Sequence, residues 1–360
     1  MPDAFGRLVL FGSGETSASG RKVFDRLFRQ LPAPVRVAIL ETPAGFQPNS
    51  AAVAGRIADS LRQGLQNVAM DVAVVPARKR GTPFSPDDSG LADVVLAADC
   101  IFLGPGSPTY AVRQLRASVV WDAVRLRFAE GATLVLSSAA VLAIGAYTLP
   151  VYEIYKVGAD LGWEAGLDVL GPTGHRLVFV PHWNNREGGV DLDTSRCFMG
   201  EDRFARLRAL LPSTATVVGI DEHTTLIVEP AMASAQVVGQ GGVTIEQAGQ
   251  AVRYEHGSAF ALGHLGEFDW TALAQDLPPE LRDRARDLKN APQSGTPADE
   301  PIPSDVQALV ERREEARRRR EWATADALRA ELADRGYHLQ DTPAGPLLQP
   351  AAVSGAESSH

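Results

Sequence analysis

Between Leu8 and Phe198 short unbroken apolar runs alternate with amphipathic stretches. The runs sit in "RLVLFGSGE", "VRVAILETP", "MDVAVVPA", "DCIFLGPGS", "ATLVLSSAA" and "HRLVFVPHW". A strand that is apolar at successive positions is covered on both faces, and the amphipathic stretches between runs supply that cover as helices. The pattern therefore predicts an α/β domain built on a doubly wound parallel sheet. From Val217 to Phe268 the texture changes to short alternating runs separated by glycine turns, "VVGIDEHTTLIVEP", "AQVVGQGGVTIEQ" and "QAVRYEHGSAFALG". Such spacing predicts an antiparallel meander at the sheet edge. Residues 1–268 then form one domain. Residues 269–303 are rich in Pro and charge and poor in apolar residues, which reads as a linker. Beyond it Val306, Leu309, Val310 and Ala316, followed by Trp322, Ala325, Leu328 and Leu332, recur at helical spacing, so a helical hairpin is expected over 304–345. The small, polar remainder, 346–360, reads as a disordered tail.

Charge and cysteine usage narrow the classes. The 360 residues carry 35 Lys and Arg against 44 Asp and Glu, a formal charge of -9. A field of that sign repels nucleic acid and anionic membranes, so any RNA contact must come from a local basic patch. The N-terminal segment lacks the pattern of a signal peptide and no apolar run approaches membrane-spanning length, which leads to the expectation of a cytoplasmic protein with no membrane partner. Cys100 and Cys197 are too few for a disulfide framework or a zinc site and are expected as packed, reduced thiols.

The chemistry concentrates in "TLVLSSAAVLAIGAYTLPVYEIYKVG", Thr133 to Gly158, where a buried strand delivers a serine into a turn and then a helix. That is the layout of a nucleophile elbow, whose strained turn favours glycine two residues before and after the nucleophile. Here those positions hold Leu136 and Ala140. Two outcomes are open: Ser138 sits strained with its hydroxyl exposed, or the turn relaxes and Ser138 or Ser137 caps the following helix.

The strand-serine-helix segment, Glu153 downstream, "VFVPHW" with His182, "VVGIDEHTTLIV" and "GSAFALGHLG" occur in the order found in the peptidase S51 family, the group of dipeptidase E and cyanophycinase. Over Leu8 to Phe268 the chain resembles that group, whose fold is similar to class I glutamine amidotransferases. The resemblance implies a flavodoxin-like sheet and a serine hydrolase needing no metal or cofactor, with Ser138 as nucleophile, His182 as base and Glu153 as the acid that orients it. The oxyanion would be held by the backbone N–H of Ala139 and by one from "GPGSP". Pro105 and Pro108 carry no N–H, leaving Gly106 or Ser107, with Gly106 preferred. Glu153 could instead pair with Lys156 three residues on.

A second resemblance covers the end. "SDVQALVERREEARRRREWATADALRAELADRGYHLQDTPAGP" is similar to the C-terminal helical hairpin of cysteinyl-tRNA synthetases, in one run without gaps. The rest of a synthetase has no counterpart: neither an HIGH-type nor a KMSKS-type signature is present, and there is no Cys/His zinc set. The resemblance raises contact with tRNA through Arg313, Arg317 and Arg320, which fall along one helical stripe, although such a run is as readily a solvated face.

Remaining candidates have two readings each. Arg196 and Asn184 stand as substrate contacts, Arg196 as a clamp for a carboxylate or, equally, as a surface partner of Asp191 or Asp193. The glycine turn Gly12 to Thr16 could offer N–H groups to an anion but is more simply a tight turn. Two function classes follow: a serine hydrolase acting on a small peptide or amide, or a non-catalytic ligand-binding module that docks on tRNA or a protein through the hairpin.

Overall fold

The computed structural model describes residues 5–290, 304–319, 321–335, 337–342 and 345–350. The chain forms two compact units, Met1–Asn290 and Ala291–His360. The first is α/β with two principal sheets. Its strands are β1 (Leu8–Phe11), β2 (Val35–Leu40), β3 (Met70–Val75), β4 (Cys100–Leu103), β5 (Thr133–Ser137), the two-residue β6 (Tyr147–Thr148) and β7 (Glu164–Ala165), and β8 (Leu177–Val180). They continue with β9 (Thr216–Ile220), β10 (Thr224–Glu229), β11 (Ser234–Gly239), β12 (Gly242–Gln247), β13 (Gln250–Glu255) and β14 (Ala259–Ala261).

The larger sheet has the order β14-β11-β10-β1-β5-β4-β2-β3, and β1, β5, β4, β2 and β3 run parallel. Alternate residues of these strands feed cores on opposite faces. Leu8, Leu10, Ile101, Leu103, Leu134 and Leu136 point one way, and Val9, Phe11, Val37, Ile39, Phe102 and Val135 the other. Both faces being covered by apolar packing explains why the runs are continuous rather than alternating.

Two sequence expectations are corrected by the sheet order. The sixth apolar run, β8, does not join the parallel sheet; it pairs with β9 in a second sheet of order β13-β12-β9-β8. Nor is the stretch after Val217 a single edge meander, because the chain passes between the sheets: β9, β12 and β13 belong to the second and β10, β11 and β14 to the first. Local alternation marks a strand as half-buried but not which sheet it pairs with.

The linker expectation also changes. Within 269–303, Trp270–Ala274 is a short 3-10 helix and Pro279–Asn290 a helix, and Leu273, Leu277, Leu281 and Ala285 are buried in the main core. Arg284 pairs with Asp93 on the helix Ser89–Ala97. Leu281, Ala285 and Leu288 form a stripe on the helix Pro279–Asn290 that the surrounding charge obscured. Residues 291–303 lie outside the described residues.

The second unit has two helices, Ser304–Arg318 and Trp322–Asp334, followed by a hairpin of β15 (Tyr337–Thr342) and β16 (Gly345–Pro350). Val306, Leu309, Leu328, Leu332 and Leu339 form its core, whereas Trp322 is exposed. The tail expected from 346 onward therefore begins as β16; residues 351–360 lie outside the described residues. Among the described residues no helix is long and apolar enough to cross a membrane.

Candidate active site

The C-terminal ends of β1, β4, β5, β8 and β9 converge, which is where open α/β sheets place their ligands. Strand β5 ends at Ser137, and Ser138 links it to the helix Ala139–Ala143 with φ 51° and ψ −114°. This is a left-handed conformation for a non-glycine residue, costing on the order of 1 to 3 kcal/mol. Ser138 makes no side-chain bond to the helix it precedes. Its Oγ instead lies 2.9 Å from Nε2 of His182. Leu136 does not obstruct the turn because its side chain is directed into the core, and Ala140 is small and buried. Ser137 is fully buried, and its Oγ has no hydrogen-bond partner. Of the two serines, Ser138 is the one that lines the cleft.

His182 follows β8, itself at φ 51°. Its Nδ1 lies 2.8 Å from Oε1 of Glu222. An ionised carboxylate can only accept, so Nδ1 carries the proton and the lone pair of Nε2 faces the Ser138 hydroxyl. Asn185, buried, donates from Nδ2 to the same Glu222 oxygen at 2.9 Å. The His182 ring and then Asn185 hold the Glu222 carboxyl below its ordinary value against the opposing effect of burial.

Glu222 sits in the three-residue turn between β9 and β10, where the chain crosses from one sheet to the other. That turn is fixed from several sides. Buried Asp221 accepts from Arg253 Nη2 at 2.6 Å and from the Gly242 N–H at 2.9 Å, the Glu222 N–H donates to Asn184 Oδ1 at 2.8 Å, and the His223 N–H donates to Ser13 Oγ at 3.0 Å. A Cβ on Gly12 would lie 2.0 Å from the Asp221 carbonyl oxygen, so the turn after β1 must be glycine for the Glu222 turn to approach it. The reading of Gly12 to Thr16 as a tight turn is the one the packing supports.

Glu153 is not the acid on His182. It lies on the helix Val151–Val157, where Oε1 accepts from the Thr109 hydroxyl at 2.6 Å. No ion pair to Lys156 exists among the described residues. Thr109 spends its proton on Glu153, so the Ser107 hydroxyl, 3.0 Å away, donates to it. Ser107 Oγ also accepts from the Tyr110 N–H at 3.2 Å, capping the helix Pro108–Leu115. Glu153 therefore braces the "GPGSP" turn. Glu222 escaped sequence reasoning because its nearness to His182 depends on β8 and β9 lying side by side in parallel; the signal available was the polar trio Asp221-Glu222-His223 closing an apolar run.

Within "GPGSP" the Ser107 N–H is committed to the Pro43 carbonyl at 2.8 Å. Gly106 lines the cleft beside Ser138, as does Ala139, which stands at the first helical position, where an N–H has no intrahelical acceptor. The cleft has a volume of about 150 Å³. Cys197 lines it too, but burial, with Glu222 nearby, pushes its thiol up to about 12, so it stays protonated at neutral pH.

Arg196 and Asn184 are also corrected. The Arg196 guanidinium stacks 4.2 Å from the Trp183 ring centroid, donates to the Trp183 carbonyl at 3.2 Å and pairs with Glu201 at 3.1 Å, lining a different cleft. Asn184 uses its oxygen on the Glu222 backbone. Among the described residues no group of three or more His, Cys, Asp or Glu is arranged to share a metal ion.

In the second unit Arg313 is 4% exposed and its guanidinium lies 2.6 Å from Glu314, so it cannot present itself to RNA. Arg317 lies 3.8 Å from the same carboxylate. Exposed Arg318 and Arg319 both pair with Glu315. Arg320 lies outside the described residues.

Comparison with solved structures agrees with this architecture. A crystal structure of a peptidase from an acI-B1 Actinobacterium superposes with a TM-score of 0.57, covering 72% of this chain and 98% of that one at 20% sequence identity. The first unit has a peptidase-like fold. Residues 299–345 match the family model of the cysteinyl-tRNA ligase anticodon binding domain. The cysteine–tRNA ligase of Rubrobacter xylanophilus is 56% identical over 46 residues, 13% of this chain and 10% of that protein. The ligase of Chlamydia felis is 49% identical over 49 residues, 14% and 10% respectively. The chain thus spans about a tenth of the length of the curated relatives it matches.

Proposed function

We propose that the first unit is a serine hydrolase acting on a small peptide or amide through Ser138, His182 and Glu222, in the manner of the S51 peptidases. The observation that carries this reading is the line of hydrogen bonds, 2.9 Å from Ser138 Oγ to His182 Nε2 and 2.8 Å from His182 Nδ1 to Glu222, on a backbone strained at the serine. Ser138 Oγ attacks the carbonyl carbon while Nε2 takes its proton. Glu222 keeps the ring in the required tautomer and stabilises the imidazolium. The carbonyl oxygen, now negative, accepts from the N–H groups of Gly106 and Ala139. Collapse breaks the C–N bond, the imidazolium gives its proton to the leaving amine, and an ester to Ser138 remains. Water, deprotonated by the same nitrogen, then releases the acid and restores the serine.

The second unit favours an additional reading, a weak tRNA contact, because residues 299–345 match an anticodon binding domain. Its eight arginines between Ser304 and Gly345 face nine Asp and Glu, so binding would rest on local contacts only. The hydrolase reading is tested by labelling with a fluorophosphonate. Wild type and Ser137→Ala should be modified at residue 138 and Ser138→Ala should not; a folded wild-type protein that resists labelling would leave the cleft as a binding site only.

A further inference from the structure

Beside Ser138 the cleft is walled chiefly by apolar and aromatic side chains: Leu142, Val151, Tyr152, Tyr155 and Phe198. The wall is built, not incidental. Arg196, Cys197 and Phe198 are three consecutive non-glycine residues at positive φ, 55°, 56° and 68°, a strained run held by bonds from the Arg196 N–H to the Trp183 carbonyl at 2.9 Å and from the Cys197 N–H to the His182 carbonyl at 3.1 Å. This turn sets the Phe198 ring 6.1 Å from the His182 ring and 5.3 Å from that of Tyr155. The charged residues lining the cleft apart from His182 are Lys156 and Glu187, of opposite sign, so the pair favours neither an acidic nor a basic guest. The Lys156 ammonium is moreover drawn over the Tyr155 ring, 4.9 Å from its centroid. A volume of about 150 Å³ is that of a cavity which admits benzene.

We infer that the substrate's acyl group carries a compact apolar or aromatic side chain, which enters the pocket formed by Leu142, Val151, Tyr155 and Phe198 while its carbonyl carbon lies at Ser138. The inference rests on the hydrolase reading and names the substrate class of the same site. An acidic side chain would lose its hydration against these walls without gaining a dedicated cation.

The test uses the full chain and the p-nitrophenyl esters of acetate, isovalerate, phenylacetate and succinate, each rate divided by that of the ester's hydroxide hydrolysis. Fluorophosphonate labelling of Ser138 is followed in the same preparation. Normalised kcat/KM should rise roughly ten- to hundredfold from acetyl to phenylacetyl, with isovaleryl between and succinyl lowest. In Phe198→Ala the phenylacetyl-to-acetyl ratio should fall several-fold; the wild-type ranking stands alone if that variant does not fold. Flat normalised rates, or a succinyl preference, with Ser138 labelled would overturn the acyl-group inference and leave the hydrolase reading. Absence of both labelling and ester turnover in folded protein would overturn both.

Discussion

At Ser138 the backbone and the chemistry pull against each other. A residue at φ 51° and ψ −114° whose side chain makes no bond to the helix it precedes is one that stability alone would replace with glycine. Ser138→Gly should therefore raise stability by about 1 kcal/mol while abolishing labelling, and Ser138→Ala should abolish labelling without that gain, since alanine bears the same positive φ; denaturant titration distinguishes them. Glu222 gives a pH signature. Its folded-state value lies below the ordinary 4.5, so the stability it contributes is present above that pH and is lost as pH falls through the folded value. Glu222→Gln should flatten that part of the stability profile. The same change removes the charge that favours the imidazolium, so the maximum of kcat/KM should fall. How much of the site was legible differs by residue. Ser138 and His182 stand at the ends of apolar runs and are visible in the sequence. Glu153 is an equally plausible carboxylate until three-dimensional pairing shows that Thr109 holds it, and Glu222 reaches His182 only through the neighbouring of β8 and β9.

At the scale of elements, function depends on turns that only particular residues allow. A Cβ on Gly106 would sit 1.9 Å from the Pro43 carbonyl oxygen, and its φ of 156° lies at the edge of the region that favours glycine. Gly106→Ala must displace the turn and its N–H; kcat should drop by roughly 10²-fold or more, as for loss of an oxyanion donor, with a lowered Tm. The strands themselves were legible because a short, continuous apolar run bounded by turn residues is too brief for a helix and too apolar for a loop. Their assignment to sheets was not, since the crossings at 221–223, 240–241 and 256–258 look like ordinary hairpin turns. The helix Pro279–Asn290 was hidden by its own charge: a single stripe of Leu281, Ala285 and Leu288 meets the core beneath an otherwise polar surface.

At the scale of the whole molecule, charge limits the second unit. A chain of formal charge -9, in which the segment that matches the anticodon binding domain is itself slightly acidic, cannot hold RNA by its overall field. With Arg313 buried and Arg318 and Arg319, outside the expected stripe, shared with Glu315, the arginine-rich run offers few phosphate contacts. The full chain should bind tRNA with a Kd no tighter than micromolar at physiological salt, weakening as salt rises, and Arg318→Glu with Arg319→Glu should weaken it further; fluorescence anisotropy across a salt series checks this. Tight, salt-insensitive binding would contradict the electrostatic account. The segment was recognisable because its motif lies in one uninterrupted run, unlike the cleft of the first unit, which five separate strand ends assemble.

The most direct test of the account asks which acid serves His182. The rate of fluorophosphonate modification at Ser138 is measured in wild type, Glu222→Gln and Glu153→Gln, with folding verified by near-ultraviolet circular dichroism. Glu222→Gln should slow modification by roughly 10²-fold or more, because the tautomer and the developing imidazolium lose their support. Glu153→Gln, whose amide oxygen still accepts from Thr109, should stay within a few-fold of wild type. A collapse in Glu153→Gln with Glu222→Gln unaffected would contradict the account.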